Sequence, residues 1–441
     1  MNIILLSGGS GKRLWPLSND IRSKQFIKMF KNKDGEYESM VQRVFRQIKE
    51  VDPEANIIIA TSKKQVSSIH NQLGDSVSVC VEPTRRDTFP AIVLASVFLN
   101  SEKNVSRDEG VIVCPVDPYV SSDYFESFLE LYDMAVNGEH NLTLMGIEPT
   151  YPSEKYGYIL PETKEKKSDV SCFIEKPKEQ EARKYIEQGA LWNGGIFAFK
   201  LGYMLDIAKN HIEFKSYKDV FEKYESLNKI SFDYEVVEKE KSIKVMRFSG
   251  HWKDIGSWNT FAEEMHDSVI GKAVLNENCE NTNVVNELDI PVLCMGCKNM
   301  IVAASSDGIL VSDKEQSSYM KPYVNEFNQQ VMYAEKSWGS FTVLDIQETS
   351  MTIRISLMPG HGLHYHSHKY RDEIWNVVQG SGIVIIDEVE SQVKSGDIIT
   401  LKAGCKQTVK AETELKIIEV QLGSDIDVKD KKKYRLNYQK E

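Results

Sequence analysis

The N-terminal end of the chain carries the first residues whose types and spacing indicate chemistry. Residues 7–14 read SGGSGKRL directly after an apolar stretch, residues 2–6, and Lys24 follows ten residues later. Arg13 and Lys24 supply positive charge for a pentacoordinate phosphorus centre. Three glycines let backbone N–H groups close around a polyphosphate: Gly8, Gly9 and Gly11. The loop indicates a nucleotide site, with a tight strand-to-helix turn carrying surface cations as the alternative.

The spacing separates this loop from two common phosphate-binding loops. A P-loop ends in Gly-Lys-Ser/Thr, which is missing here, and a dinucleotide fingerprint needs an acidic residue about 20 positions on and has no role for the lysine. Nucleotidyl transfer remains. It requires two carboxylates around a divalent metal, for which Asp117 and Asp254 are the candidates, although a strand-end aspartate also forms turns or caps helices.

Residues 7–26 resemble the opening of the bacterial mannose-1-phosphate guanylyltransferases, a branch of the sugar-phosphate nucleotidyltransferases. Seven further segments follow in family order: EPTRRDT (82–88), CPVD (114–117), YGYI (156–159), FIEKP (173–177), WNGGIF (192–197), FDY (232–234) and WKDIGSW (252–258). The chain departs from the family at Lys12, Ser23 and Pro118, where threonine, proline and histidine are common.

The resemblance implies a site for each part of the reaction. The catalytic group is Arg13, Lys24, Asp117 and Asp254, with Mg²⁺ on the two aspartates. The nucleotide-binding group is Gly8, Gly9, Gly11, Lys12, Arg13, Glu82 and Arg85. The sugar-phosphate group is Gly157, Glu175, Lys176, Asn193 and Asp233. From the residues alone, Glu82 and Arg85 follow a predicted strand, where they could read a base or ribose or form only a surface ion pair.

A second cluster lies near the C-terminus. Four of the nine histidines fall within eight residues and are followed by Glu373: His361, His364, His366 and His368. Because alternate residues of a strand share a face, the last three could converge inside a small barrel. Imidazole and carboxylate suit zinc, iron, nickel or manganese, and the alternative is an exposed edge strand.

Residues 363–375 resemble the cupin metal motif of type II mannose-6-phosphate isomerases. The ligand positions fall on His366, His368, Glu373 and Gln407, which implies a divalent metal such as Zn²⁺. The resemblance further implies an aldose–ketose isomerase that interconverts fructose-6-phosphate and mannose-6-phosphate. A non-catalytic binding or dimerisation module is the alternative.

The elements that must position these residues change character along the 441-residue chain, which is long enough for two or three domains. Apolar strand-like runs alternate with helical stretches over residues 1–268, as in a mainly parallel α/β sheet with helices on both faces. Short strands without helical period occupy residues 269–330, and closely spaced strands with glycine turns occupy residues 331–441. We predict a Rossmann-like nucleotidyltransferase domain, a connector that the resemblance makes a short left-handed β-helix, and a cupin jelly roll.

Net charge, apolar runs and cysteine spacing limit the partners and the location that we expect for the protein. A net charge of −11 argues against nucleic acid and offers no polybasic stretch for a membrane surface. The apolar start is too short for a signal peptide and no run spans a membrane, so we expect a cytoplasmic protein. Only Cys294 and Cys297 have CxxC spacing, which favours reduced thiols over a zinc site.

Together, the residues and the resemblance predict a bifunctional enzyme of polysaccharide precursor synthesis. The transferase makes GDP-mannose and pyrophosphate from GTP and mannose-1-phosphate, and the cupin isomerises hexose phosphates. The alternative is another sugar-1-phosphate, such as a heptose or fucose derivative, or another base, with a non-catalytic cupin. We expect a homo-oligomer, with a dimer favoured.

Overall fold

The computed structural model describes residues 1–9, 12–19, 21–327, 330–424, 426 and 430–435. The chain divides into two compact units. The first comprises Met1–Ser10 and Ser23–Asp267, and the second comprises Gly11–Arg22 and Ser268–Glu441. In the described part of the chain, no helix combines the length and the apolar character that crossing a membrane requires. None of the seven cysteines, all of them described, is paired in a disulfide.

The first unit alternates strands and helices. Its strands are β1 (Asn2–Leu6), β2 (Phe30–Lys31), β3 (Tyr37–Glu38), β4 (Asn56–Ser62), β5 (Ser78–Glu82), β6 (Gly110–Pro115), β7 (Pro118–Val120), β8 (Leu142–Ile147), β9 (Gly157–Pro161), β10 (Lys167–Ile174), β11 (Leu191–Lys200), β12 (Ile243–Phe248) and β13 (Trp252–Asp254). Its α-helices are α1 (Met40–Val51), α2 (Val66–Leu73), α3 (Thr88–Glu102), α4 (Ser122–Asn137), α5 (Glu179–Glu187), α6 (Leu201–His211), α7 (Tyr217–Glu222) and α8 (Trp258–Glu263). Short helical turns cover Lys24–Phe26, Tyr224–Ser226 and Asp233–Val237.

Nine strands form one sheet in the order β5-β4-β1-β6-β11-β8-β12-β10-β9. The pairings among β5, β4, β1 and β6 are parallel, as is that of β8 with β12, whereas β11 runs antiparallel to β6 and β8. The strands β10 and β9 are antiparallel to their neighbours. The α/β class is therefore confirmed, but the expectation of a mainly parallel sheet holds only for its first part.

Two hydrophobic clusters cover the two faces of this sheet. Ile3 and Leu5 of β1 pack into one cluster with helices α1 and α4, and Ile4 packs into the other with α3 and α6. This alternation follows from the two-residue period of a strand. Because both faces are buried, β6 reads as a continuous apolar run, Val111 to Cys114.

The second unit contains two β-rich parts. Residues 269–326 form β14 (Val269–Gly271), β15 (Ala273–Leu275), β16 (Asn283–Asn286), β17 (Val292–Cys294), β18 (Met300–Ser305), β19 (Gly308–Asp313), the turn Gln316–Tyr319 and α9 (Lys321–Glu326). Strands β14, β16 and β18 stack in parallel, and so do β15 and β17. Two parallel rows of short strands are the layout of a β-helix. The left hand of this connector stays a prediction.

The remaining strands form a jelly roll of two antiparallel sheets. They are β20 (Tyr333–Lys336), β21 (Gly339–Ile346), β22 (Ser350–Leu357), β23 (His366–His368), β24 (Arg371–Gln379), β25 (Ser381–Ile386), β26 (Val389–Lys394), β27 (Ile398–Leu401), β28 (Gln407–Ala411), β29 (Leu415–Gly423) and β30 (Lys431–Lys433). The sheet orders are β20-β21-β22-β29-β24-β27 and β26-β25-β28-β23-β30. The buried side chains between them include Trp375, Val409 and Ile417, so the predicted cupin architecture is confirmed.

Candidate functional site

A cavity of about 220 Å³ opens in the first unit beyond the carboxyl end of β6. This is the edge at which open α/β sheets bind ligands. Its lining contains seven of the residues predicted for the transferase reaction: Asp117, Asp254, Gly157, Glu175, Lys176, Asn193 and Asp233. Residues that are 137 positions apart in sequence thus face one space.

Antiparallel pairing of β7 with β13 joins the two aspartates. Asp254 is the register partner of Pro118, and the Ile255 N–H donates to the Asp117 backbone oxygen at 3.4 Å. Lys24 Nζ lies 2.8 Å from Asp117 Oδ2 and donates to the Ile255 carbonyl at 2.7 Å. Burial, followed by the charge of Asp254, raises the pKa of Tyr156 on the cavity wall. The structure therefore brings Lys24, Asp117 and Asp254 together.

Charged and hydrogen-bonding side chains predicted for the sugar phosphate occupy the other part of the cavity. Asn193 Nδ2 donates to Asp233 Oδ1 at 2.5 Å, and Asn193 Oδ1 accepts from the Gly195 N–H at 3.1 Å. The Lys176 ammonium contacts the Glu175 carboxylate. Burial, followed by the charge of Glu175, raises the pKa of Asp233 to about 6. The arrangement offers one cation and several oxygen acceptors at short range.

Gly157 has a steric reason to be glycine. A Cβ at this position would stand 2.5 Å from Glu175 Oε2 and 2.9 Å from the Phe173 ring, closer than such atoms approach. The backbone of β9 therefore passes directly against the Glu175 carboxylate. Gly157 shapes the cavity by leaving room for that side chain.

The glycine loop meets the predicted base-reading residues. A Cβ on Gly8 would lie 3.7 Å from Glu82 Oε1, and Arg85 Nη2 lies 3.4 Å from the Gly9 carbonyl. Glu82, at the end of β5, accepts from the Tyr224 hydroxyl at 2.7 Å, and burial raises its pKa. Gly8, Gly9, Glu82 and Arg85 thus lie together, and the Glu82 carboxylate is held by Tyr224 rather than paired on the surface.

Sequence reasoning missed the side chains that fix this loop. Gln65 Nε2 donates to the Gly9 carbonyl at 3.2 Å and to Ser23 Oγ at 2.6 Å, and Ser23 Oγ donates to the same carbonyl at 3.1 Å. Thr61 Oγ1 donates to Gln65 Oε1 at 2.6 Å. Ser23, which departs from the family's proline, is therefore part of a buried polar network under the loop. In the sequence, the only sign of this network was the serine at position 23 in place of the family's proline.

The rest of the glycine loop lies in the second unit. Gly11 falls outside the described residues, Lys12 begins the short helix Lys12–Leu14, and Arg13 is exposed. The predicted phosphate-binding roles of Gly11, Lys12 and Arg13 stay predictions.

The cupin holds a buried cluster of His366, His368 and Glu373, whose candidate ligand atoms all lie within 4.8 Å of one another. Burial is the main cause that lowers the pKa of both imidazoles to about 3, assisted by Lys431 at His366 and by Arg371 at His368. Both rings are therefore neutral, as metal ligation requires. His361 and His364 are exposed, so His364 does not share this interior face as expected.

The neighbours of this cluster orient its donors. His366 Nδ1 lies 2.5 Å from the His364 carbonyl, which leaves Nε2 for a ligand. Gln407, the register partner of His366, donates from Nε2 to Glu373 Oε2 at 2.7 Å. Two neutral imidazoles, a carboxylate and an amide make a donor set that fits a divalent transition metal.

A buried arginine in this cluster was not singled out from the sequence. Arg371 Nε lies 3.3 Å from Glu373 Oε1, and its Nη2 lies 3.2 Å from His368 Nε2. Burial and the neighbouring Glu419 raise the pKa of Glu373. Arg371 supplies positive charge beside two carboxyl groups that share one dry site.

Comparison with known proteins places these sites in a family. The profile described as nucleotidyl transferase matches residues 2–269, more than half of the chain. The chain belongs to the nucleotidyl transferase family. A second profile, described as mannose-6-phosphate isomerase C-terminal, matches residues 325–435 of this nucleotidyl transferase.

Individual relatives span almost the whole chain. The xanthan biosynthesis protein XanB of Xanthomonas campestris pv. campestris is 28% identical, covering 96% of this chain and 95% of its own length. The mannose-1-phosphate guanylyltransferase of Escherichia coli K12 is 27% identical, with 97% and 96% covered. A crystal structure described as mannose-1-phosphate geranyltransferase, from Thermus thermophilus, covers 74% of this chain and 98% of its own, at 27% identity and a TM-score of 0.61.

Proposed function

We propose that this nucleotidyl transferase is a mannose-1-phosphate guanylyltransferase that converts GTP and mannose-1-phosphate to GDP-mannose and pyrophosphate. One observation carries the proposal: a single cavity presents Asp117 and Asp254 beside Lys24, and sugar-binding groups around Asp233. Full-length relatives that include a protein named mannose-1-phosphate guanylyltransferase support this choice of base and sugar.

In the proposed reaction, a phosphate oxygen of mannose-1-phosphate attacks the α-phosphorus of GTP in line. The bond from that phosphorus to the bridging oxygen breaks, and pyrophosphate leaves with the bonding electrons. Lys24 and Arg13 neutralise charge that grows on the phosphate oxygens, while backbone N–H groups of the glycine loop hold the triphosphate.

A divalent ion fits the two carboxylates, whose oxygens are the donors that Mg²⁺ prefers. Asp117 and Asp254 would hold Mg²⁺, which supplies charge neutralisation on the phosphates when bound. Lys24, at 2.8 Å from Asp117, keeps that carboxylate oriented toward the cavity.

The sugar and the base are recognised by different residues. We assign Lys176 to the phosphate of the sugar, and Glu175, Asn193 and Asp233 to its hydroxyls, since all four line the same cavity. Glu82 and Arg85, beside Gly8 and Gly9, are assigned to the guanine base and ribose.

A matrix of nucleoside triphosphates and sugar-1-phosphates, scored by pyrophosphate release, tests the assignment. We expect turnover to be highest with GTP and mannose-1-phosphate. Turnover confined to a heptose or fucose derivative, or to another base, would support the alternative substrates and refute this one.

The cupin cluster favours a second activity. We propose that it interconverts fructose-6-phosphate and mannose-6-phosphate by moving a proton between neighbouring carbons. His366, His368, Glu373 and Gln407 would hold a divalent metal such as Zn²⁺, which polarises the sugar's carbonyl oxygen when bound. The match of residues 325–435 to the isomerase C-terminal family supports this activity.

An isomerase assay on the full chain, with metal analysis of the same sample, tests the second activity. Bound metal together with interconversion of the two hexose phosphates is expected. Bound metal without interconversion would make the cupin a binding module. A dimeric assembly and a cytoplasmic location stay predictions, and light scattering tests the first.

A further inference from the structure

Asn19, which follows the glycine loop in the sequence, makes polar contacts with the connector and with Tyr333 inside the second unit. Asn19 Nδ2 donates to Asp307 Oδ2 at 2.8 Å and to the Tyr333 carbonyl at 3.0 Å. Asn19 Oδ1 accepts from the backbone N–H groups of Ile21 and Arg22 at 2.9 and 2.7 Å. The amide nitrogen therefore joins the segment to the connector and to the first cupin strand, while the amide oxygen holds the segment's own backbone.

Asp307 is itself held from two sides. Its Oδ1 accepts from the Met332 N–H at 2.8 Å, and its backbone N–H donates to Ser305 Oγ at 3.1 Å. Ser305 Oγ in turn donates to the Pro16 carbonyl at 2.7 Å. Ser305 and Asp307 flank the turn between β18 and β19, so one turn of the connector contacts the segment at two points.

Two further contacts extend this attachment. Arg22 forms a bidentate pair with Glu287 at 2.7 and 2.9 Å, and its guanidinium lies 5.3 Å from the centre of the Tyr333 ring. A Cβ on Gly308 would lie 2.4 Å from the Trp15 ring, which also packs on Phe327 at 5.2 Å. A salt bridge, an amide network and an aromatic contact thus hold this one short segment.

We propose that Asp307, Ser305 and Glu287 are positioning residues for nucleotidyl transfer. Their contacts to Asn19, Pro16 and Arg22 fix the segment that directly follows Arg13, and thereby place that cation. The inference rests on the proposed function, because Arg13 matters only if a triphosphate is bound. It assigns the connector a part in the transferase reaction.

A swap of donor and acceptor tests the proposal in the full chain. In Asp307→Asn, an amide that keeps accepting from Met332 presents N–H groups to the Asn19 amide, so the hydrogen bond is lost. In Asn19→Asp, two carboxylates face each other. In the double variant Asn19→Asp/Asp307→Asn, the amide introduced at position 307 can donate to the carboxylate introduced at position 19, although the Tyr333 carbonyl loses its donor.

We expect each single variant to raise the KM for GTP by about tenfold, the size of one buried hydrogen bond. The KM for mannose-1-phosphate and the isomerase rate should stay within about twofold. The double variant should recover most of the loss, which assigns the effect to this one hydrogen bond. A general weakening of the fold would instead impair the use of both substrates and the isomerase rate. Lys298→Ala, which removes an exposed pair with Glu280 on the same connector, is the matched control and should change nothing.

Hydrogen exchange gives a second readout that needs no turnover. Amides of residues 12–19 should exchange faster in both single variants and return toward the wild-type rate in the double variant. Unchanged exchange and unchanged KM for GTP would overturn the inference. Wild-type protein that fails to use GTP, but still shows the exchange pattern, would refute the proposed substrate and leave the anchor standing.

Discussion

The transferase cavity and the cupin cluster both bring acidic side chains together, yet they do so in opposite environments. The Asp117 side chain is 38% exposed and already contacts Lys24, whereas Glu373 is 2% exposed and lies among neutral imidazoles. Water screens the first group and is excluded from the second. The open site suits an ion that arrives with its substrate, and the closed site suits an ion that stays.

The largest effect should separate the two sites completely. Asp254→Asn removes one of the two carboxylates proposed to hold the Mg²⁺ that neutralises the phosphates, so pyrophosphate release should fall by about 10²- to 10³-fold. The isomerase rate of the same preparation should not change. Glu148→Gln, which breaks an exposed pair with Arg247 elsewhere in the first unit, is the control and should retain activity. Equal losses in both assays would show that Asp254 supports the fold instead.

Metal removal tests whether the cupin keeps its ion while the transferase site loses its own. Dialysis against metal-free buffer should abolish transferase activity until Mg²⁺ is added back, while the cupin retains its metal. His366→Ala should reduce cupin metal affinity by about 100-fold, measured by elemental analysis and competition with a chelator. If both sites lose metal at the same chelator concentration, burial does not determine which site keeps its ion.

The acidity of Asp233 gives a pH test that the cupin should not share. Burial raises its pKa from 3.8 to about 6, so the folded state favours the protonated carboxyl over the ionised one. This stabilisation is fully present below pH 3.8 and is lost as pH rises through 6. Asp233→Asn should therefore raise the free energy of unfolding at pH 8, by up to about 3 kcal/mol.

The same variant should impair the reaction while it stabilises the protein. Ionised Asp233 accepts hydrogen bonds, so kcat/KM for the sugar phosphate should fall in the wild type below about pH 6. Asp233→Asn should lose this inflection and be about tenfold slower at pH 8. A wild-type profile without an inflection near 6 would contradict the role.

The smallest expected effect concerns the support under the glycine loop. Gln65→Leu removes the donor to the Gly9 carbonyl and to Ser23, so the KM for GTP should rise about threefold to tenfold with little change in kcat. Gln72→Leu, which alters a nearby glutamine that donates to Phe26, is the matched control. A larger effect in the control would place the important support elsewhere.

The sequence was most informative where local pattern decides structure. The apolar run at residues 2–6 forms β1 with those bounds, because short runs dominated by aliphatic residues favour buried strands. The histidine motif also located its buried cluster, since His366 and His368 share a face at a spacing of two.

Contacts between residues that are far apart in the sequence could not be predicted from it. Nothing local in Gln65 or Tyr224 shows that they hold Gly9 and Glu82, because each contact exists only after the sheet has assembled. The antiparallel placement of β11 between β6 and β8 likewise depends on the path of the whole chain. Sequence order groups residues 12–19, 21 and 22 with the N-terminal part of the chain, whereas their contacts assign them to the second compact unit. The domain bounds 1–268, 269–330 and 331–441 stay predictions.

That assignment has a consequence for synthesis on the ribosome. Tyr333, a partner of Asn19, is translated about 310 residues after Arg22, which takes roughly 15 to 60 seconds at ordinary elongation rates. Until then the nascent chain has its N-terminal sheet residues but lacks partners of Asn19 and Arg22. Competence to bind nucleotide should therefore appear late in translation, after the connector has emerged.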